Sequence, residues 1–427
     1  MGHIEDHPLR YSLANELHAR PFPSLSVPCR AVLLAIKQPK DAANRDRELD
    51  RAHLLDLLDR YGVAHPQPGA THYSGEIGRY YLKWEQHTEF VTYTVFLDSL
   101  SERAFDPTDF EVFPDDWLAK APGVRVTSAM IRVEKRPDNE KISEKLASWM
   151  VPESLAVASV LDDMAVVAGD FRIDAAGHMR FAIFASDEAS PRRIGRILQR
   201  LCEIETYKAM SMLGLATVRR MSGRLGEIDS GLTALTDQMT RSEAAPEQAL
   251  DDLLSLSSEL ESMSAAASFR FGATGAYEAI VQQRIEVLRE ARFEGRQTFS
   301  EFMTRRYDPA IRTVVSSEKR LNAMSERAIR ASELLRTQVD VARSAQNQAL
   351  MESMDHRADL QLRLQKTVEG LSVVAISYYA VSLVGYLFYP LADPLGISKG
   401  MLTAIATPFV VIMVWWMIHR IREKMEK

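Results

Sequence analysis

The spacing of hydrophobic positions changes along the chain, and each spacing predicts a different kind of structure. Over residues 1–190 short apolar runs alternate with helical patterns. "RAVLLAIK" is typical of a strand, "RELDRAHLLDLLDRYG" of an amphipathic helix, and "RYYLKWEQHTEFVTYTVFL" of a long strand or hairpin rich in aromatic and β-branched residues. This alternation predicts a cytosolic mixed α/β domain over residues 1–190.

From about residue 191 the pattern becomes helical. Pro191 suits the first position of a helix, and Ile194, Ile197, Leu201 and Ile204 share one stripe. This pattern predicts a cytosolic helical domain and stalk over residues 191–369, so the fold class is α+β followed by a helical bundle.

The predicted stalk is long and polar. After Pro309 the sequence has no proline before the first apolar span and no glycine until Gly370, which predicts one long helix or two nearly continuous ones. Its apolar seam is thin, and a polar helix of this length needs partners. We therefore expect a coiled-coil stalk, packed on other helices or on other copies in a homo-oligomer.

Two uncharged apolar runs, residues 371–389 and 401–418, lie near the C-terminus. Each approaches the roughly 30 Å thickness of a hydrocarbon core. Prolines and glycines between them predict a turn, so residues 370–420 should form a transmembrane hairpin, followed by a basic tail over 421–427. Lys366 and the "HRIREKMEK" segment place both flanks in the cytoplasm. The alternative, two buried helices of a soluble core, fits the flanking charges less well.

The first span carries a stripe of small residues at three- and four-residue spacing, Val374, Ser377, Val381 and Gly385. Close packing of helices in the bilayer is the favoured interpretation, because small residues let backbones approach and the span has no acid or base. The alternative is a pore wall lined by Ser377, Val381 and Gly385, with Tyr386 near its outer mouth.

Composition argues against several classes of function. The 427 residues carry a net charge of −6 with a pI near 6.0, which argues against a nucleic-acid-binding protein. Cys29 and Cys202 are the only cysteines, too few for a disulfide framework or a cysteine-based zinc cluster. The N-terminus lacks the apolar run of a signal peptide, so we expect most of the chain to be cytoplasmic.

Candidate chemistry is sparse. Glu85, His87 and Glu89 alternate along the predicted strand and would share one face, where they could ligate a divalent cation. A solvated strand face is the favoured alternative, since strands commonly alternate polar residues. Nucleophile elbows, zinc-protease motifs and Walker motifs are absent, so nothing argues for an enzyme, and the sequence requires no cofactor.

The N-terminal "NELHARPF" segment offers Glu16, His18 and Arg20. It is more typical of a hydrogen-bonded segment that docks the terminus than of an anion or partner contact.

The segments "NELHARPF", "LKWEQHTEF", "QRLCEIETYKAM" and "LQLRLQKTVEGLSVVAISYY" resemble a bacterial family known as domain of unknown function 3422. The resemblance runs from His7 to the second span and implies a membrane-anchored protein of the bacterial cytoplasmic membrane. It implies no activity, so it assigns no functional residues.

The order of domains is also similar to that of CorA-type divalent-cation transporters. Those form pentameric funnels whose first span lines the pore and ends in Gly-Met-Asn. Here Gly385, Tyr386 and Leu387 stand at the nearest position, and the loop offers only Asp393 against Lys399, which argues against magnesium selectivity.

Two main hypotheses follow, and a weaker third makes the Glu85, His87 and Glu89 face a metal-dependent catalytic site. The leading one is a homo-oligomeric, CorA-like assembly in the bilayer that conducts or senses an ion along the first span. The alternative is a non-conducting membrane protein that anchors a cytosolic binding or scaffolding domain.

Overall fold

The computed structural model describes residues 4–16, 22–241, 246–392 and 398–425. The chain divides into two compact units. The first comprises Met1–Glu243 and Asp251–Ala331, and the second comprises Ala244–Leu250 and Ser332–Lys427.

A nine-stranded sheet forms the centre of the first unit. Its strands are β1 (Cys29–Lys37), β2 (His72–Ile77), β3 (Tyr80–Gln86), β4 (Phe90–Leu97), β5 (Val124–Lys135), β6 (Ala156–Val160), β7 (Ala165–Gly169), β8 (Met179–Ala185) and β9 (Ala291–Arg292). They lie in the order β2-β3-β4-β1-β5-β8-β7-β6-β9. Only β5 and β8 pair in parallel; the other neighbours are antiparallel. The predicted strand at "RAVLLAIK" is therefore β1, and the aromatic run is the β3–β4 hairpin.

The helices of the described residues are α1 (Arg10–Glu16), α2 (Arg47–Arg60), α3 (Asp115–Leu118), α4 (Asn139–Trp149), α5 (Pro191–Arg241), α6 (Pro246–Glu286), α7 (Phe299–Arg306), α8 (Asp308–Ala392) and α9 (Lys399–Met425). Short 3-10 helices cover Ala42–Asn44, Pro107–Val112 and Pro152–Ser154. The predicted mixed α+β class with long helices after the sheet is confirmed.

Helices cover both faces of the sheet, because the central strands are apolar on both sides. In β1, Leu33 packs into one core and Leu34 into the other, as the two-residue period of a strand requires. The core around Leu33 includes the predicted α5 stripe, with Ile194 and Ile197 fully buried. The core around Leu34 includes the apolar face of α2, where Leu54 is fully buried. α5 packs on β5 and β8, and its residues from Gln199 to Tyr207 face the β3–β4 hairpin across a cavity.

The second unit contains the C-terminal part of α8 and all of α9. Each of these two helices is long and apolar enough to cross a membrane, α8 through its segment ending at Pro390 and α9 through Lys399–Ile421. Upstream of the first apolar span, every residue from 340 to 368 is exposed, including Leu350, Met354 and Leu360. The predicted long polar helix is thus a continuous part of α8, and the described contact of this segment with another helix is the ion pair of Arg343 with Glu247 of α6, at 3.2 Å.

Candidate functional site

A polar cavity of about 220 Å³ lies in the first unit between α5 and the β3–β4 hairpin. Lys83 and Glu85 are two residues apart on β3 and so face the same side, where they pair with Thr94 and Thr92 of β4. Since α5 covers that side, these polar side chains are enclosed. We call this space the Lys83 cavity. The other lining residues are Phe22, Leu33, His87, Phe96, Gln199, Cys202, Glu203, Thr206, Tyr207 and Arg284.

Two polar atoms of the Lys83 cavity are buried without a hydrogen-bond partner in the described part of the chain, Lys83 Nζ and Gln199 Oε1. The Lys83 side chain is only 7% exposed, and its Nζ lies 3.3 Å from Glu85 Oε2 in an ion pair that lacks hydrogen-bond geometry. Gln199 uses its Nε2 to donate to Glu203 Oε1 at 2.8 Å, which leaves its Oε1 unsatisfied. Burying a polar atom without a hydrogen bond costs free energy. The cavity thus has room for one more acceptor, for Lys83 Nζ, and one more donor, for Gln199 Oε1.

The formal charges of the described residues that line the cavity balance. Lys83 pairs with Glu85, and Arg284 Nε donates to Glu203 Oε2, so two cations face two carboxylates. A ligand with a net charge would leave one buried charge uncompensated, which is strongly unfavourable. The cavity therefore suits a ligand whose own charges sum to zero.

The β3–β4 turn holds His87 at the edge of this cavity. Its ring stacks on Phe90 at 4.2 Å between centroids, and its Nε2 lies 3.3 Å from Thr92 Oγ1. Arg45 fixes the turn from the other side, because its Nη2 donates to the carbonyls of His87 at 2.9 Å and Phe90 at 3.1 Å. Asp50 holds Arg45 in place through Nε at 2.7 Å. The turn is thus rigidly placed by buried contacts.

Glu89 has a different environment from Glu85 and His87. It is fully buried, and it accepts hydrogen bonds from both terminal nitrogens of Arg270 and from Tyr277 Oη at 3.0 Å. Lys37 Nζ lies 3.5 Å from the same carboxylate. Burial acts to raise the pKa of Glu89, but the hydrogen bonds and charge of Arg270, with smaller contributions from Tyr277 and Lys37, bring it below its ordinary value. The Glu89 carboxylate is therefore ionised and committed to this buried network.

The structure separates the three residues that the sequence offered as a divalent-cation site. We expected Glu85, His87 and Glu89 to alternate on one strand face, but β3 ends at Gln86 and a turn follows. The turn directs Glu89 to Arg270, so only Glu85 and His87 line the Lys83 cavity. Among the described residues no group of three His, Cys, Asp or Glu side chains is placed to hold a metal ion.

Both cysteines are buried and free. Burial raises the pKa of Cys29 to about 12 and raises the pKa of Cys202 further, so both are thiols at neutral pH. A thiol is a poor nucleophile. Cys202 therefore contributes an uncharged, weakly polar surface to the Lys83 cavity.

In the first span, Ser377 and Gly385 are buried, Val381 is half-buried and Tyr386 is exposed. A Cβ on Gly385 would lie 3.9 Å from Thr403 Oγ1 of α9, so the small-residue stripe meets the second span at this point. Close packing within one chain accounts for this contact. A pore lined by Ser377, Val381, Gly385 and Tyr386 requires several copies and stays a prediction.

Two further sequence predictions concern positions outside the described residues. One is the "NELHARPF" segment, with His18, Arg20 and the side chain of Glu16, and the other is Asp393 of the loop between the spans.

Sequence pattern alone did not predict the Lys83 cavity. Lys83 alternates with Leu82 and Trp84, a pattern typical of a half-exposed strand. One sequence pattern did indicate a polar site: Gln199 and Glu203 are four residues apart and place two polar side chains beside the apolar stripe of α5.

The profile of a family described as "Protein of unknown function (DUF3422)" matches residues 5–425 of the chain. No curated protein matches the chain. The resemblance seen in the sequence segments is thereby confirmed over nearly the whole length.

Proposed function

Because the chain belongs to this family, whose description names no activity, we propose a function from its own residues: it is a membrane-anchored protein that binds a small zwitterion, of the amino-acid type, in the Lys83 cavity. The observation that carries this proposal is the pair of buried, unsatisfied atoms Lys83 Nζ and Gln199 Oε1.

The two atoms are complementary to the two ends of a zwitterion. A ligand carboxylate would accept hydrogen bonds from the Lys83 ammonium, and a ligand ammonium would donate to Gln199 Oε1. Such a ligand brings no net charge, so the two ion pairs of the cavity stay balanced. A cavity of about 220 Å³ is also smaller than the sites of drug-sized ligands, which favours a compact molecule.

The anchor is the pair of apolar helices, α8 near its C-terminus and α9. The basic residues that flank them, Lys366 and Arg420 among them, favour cytoplasmic flanks and hence a cytoplasmic Lys83 cavity. The family resemblance favours the bacterial inner membrane. We choose the non-conducting hypothesis over ion conduction because the small-residue stripe already meets α9 at Gly385 within one chain.

Self-association belongs to the same proposal. The α8 segment over residues 340–368 is exposed on every side and includes Leu350, Met354 and Leu360. Long polar helices gain most of their stability from packing, so a second copy is the partner we propose for this segment.

Thermal-shift measurements with the twenty standard amino acids test the binding function. Full-length protein in detergent should show a raised Tm with at least one of them, since a ligand that binds only the folded state stabilises it. Lys83→Met keeps the length of the side chain but removes the ammonium, so this variant should lose the shift. Lys319→Met, which removes an exposed lysine on α8, should retain it. The proposal fails if no amino acid shifts the wild type, or if Lys83→Met responds as the wild type does.

A further inference from the structure

A second cavity in the first unit is surrounded by arginines. It has a volume of about 260 Å³ and lies beside the start of α5. Arg193, Arg196 and Arg200 come from the first three turns of α5, and Arg289 follows the end of α6. Asp162 is the one carboxylate among the described residues that line it. We call this space the arginine cavity.

The positive charge of the arginine cavity is largely unpaired. Asp162 forms an ion pair with Arg289 at 2.7 Å. Arg200 Nη1 donates to the Val287 carbonyl at 3.0 Å, and the Arg196 guanidinium lies over the Phe22 ring. Among the described residues, no carboxylate forms an ion pair with Arg193, Arg196 or Arg200. One acid therefore faces four bases.

The excess of positive charge lies near the N-terminus of α5, where it is unfavourable. A helix N-terminus carries a partial positive charge, and acidic residues normally stabilise it. The first turn of α5 contains no acidic residue and instead leads into the three arginines. Burial, and after it the neighbouring charges of Arg196, Arg284 and Arg289, lower the pKa of Arg200. A bound anion would offset the repulsion and the helix-terminal charge together.

We propose that the arginine cavity binds a phosphate-bearing ligand through Arg193, Arg196 and Arg200. The planar fork of a guanidinium matches the oxygens of a phosphate, and several such groups around one cavity suit a dianion or a diphosphate. The phosphate has two possible sources, a free phosphorylated metabolite or the headgroup of an anionic lipid. This site goes beyond the amino-acid binding proposed for the Lys83 cavity and does not depend on it.

Calorimetry with inorganic pyrophosphate tests the free-metabolite source. The protein is full-length and held in phosphatidylcholine nanodiscs. Arg196→Gln should weaken binding by roughly tenfold or more, the usual effect of losing a charged hydrogen bond. Arg193→Gln should act similarly, and neither variant removes a hydrogen bond to the backbone. Arg219→Gln removes an exposed arginine elsewhere on α5 and is the matched control.

Flotation tests the lipid source. The same nanodisc-held proteins are mixed with separate vesicles of phosphatidylcholine that contain phosphatidic acid. Pyrophosphate binding that is lost in Arg196→Gln assigns the site to a free phosphate compound. Vesicle binding that is lost in Arg196→Gln, without pyrophosphate binding, assigns it to a lipid headgroup. The proposal is overturned if the wild type binds neither probe, or if Arg196→Gln and Arg219→Gln bind equally well.

Discussion

Replacing Arg270 with leucine should destabilise the first unit strongly, because it leaves the Glu89 carboxylate buried without its main partner. Glu89 is fully buried and receives hydrogen bonds from both terminal nitrogens of Arg270. Removing one member of a buried ion pair costs about 3–5 kcal/mol. Tyr277 and Lys37 still contact the carboxylate, so we expect the lower end, about 3 kcal/mol.

The assay is thermal unfolding followed by tryptophan fluorescence, in full-length protein in detergent. Trp84 and Trp117 are fully buried in the first unit and report its unfolding. At about 2 °C per kcal/mol for a unit of this size, Tm should fall by about 6 °C. Arg219→Leu, at an exposed position of α5, should leave Tm unchanged.

The Glu89 environment also predicts a pH dependence. The pKa of Glu89 is lowered in the folded protein, so its ion pair contributes stability above the unfolded pKa of about 4.5 and loses it as pH falls through the folded value. The difference between wild type and Arg270→Leu should therefore shrink at acidic pH. A Tm within about 1 °C of wild type at pH 7 would refute the reasoning, because a buried carboxylate that loses its main partner should cost about 3 kcal/mol.

Three further predictions concern other buried groups. Burial lowers the pKa of His178 to about 4, so its contribution to stability should be lost as pH falls from 6.5 towards 4, and His178→Gln should flatten this part of the Tm–pH curve. Gly195→Ala should lower Tm by several degrees, since its Cβ would lie 1.7 Å from a backbone carbonyl oxygen, whereas Gly223→Ala on the same helix has open space and should not. Cys29 and Cys202 should resist maleimide in the native protein and react after denaturation, as their burial and raised pKa values require; rapid native labelling would contradict the described core.

Local periodicity predicted the individual elements well. The strand at Arg30–Lys37, the β3–β4 hairpin, the buried stripe that begins at Ile194 and the two apolar helices all appear in the structure. Each depends on spacing within one short segment. The sheet order could not be predicted, because the parallel β5–β8 pair and the short β9, which follows two long helices, depend on contacts between distant segments.

The site depends even more on distant segments. Lys83 has the alternation of a solvated strand, and only the covering helix, more than a hundred residues later, makes it buried. Neither the favoured solvated face nor the alternative metal site describes Glu89, because its partner Arg270 lies 181 residues away. A pattern within β3 carries no information about either contact.

A calorimetric titration of full-length protein with the amino acid that shifts Tm most tests the central claim directly. Lys83→Met should bind roughly ten- to a hundredfold more weakly than wild type, since it loses hydrogen bonds to a charged group, while Lys319→Met should bind as wild type does. Equal affinity in wild type and Lys83→Met would show that the ligand does not occupy the Lys83 cavity and would contradict the account.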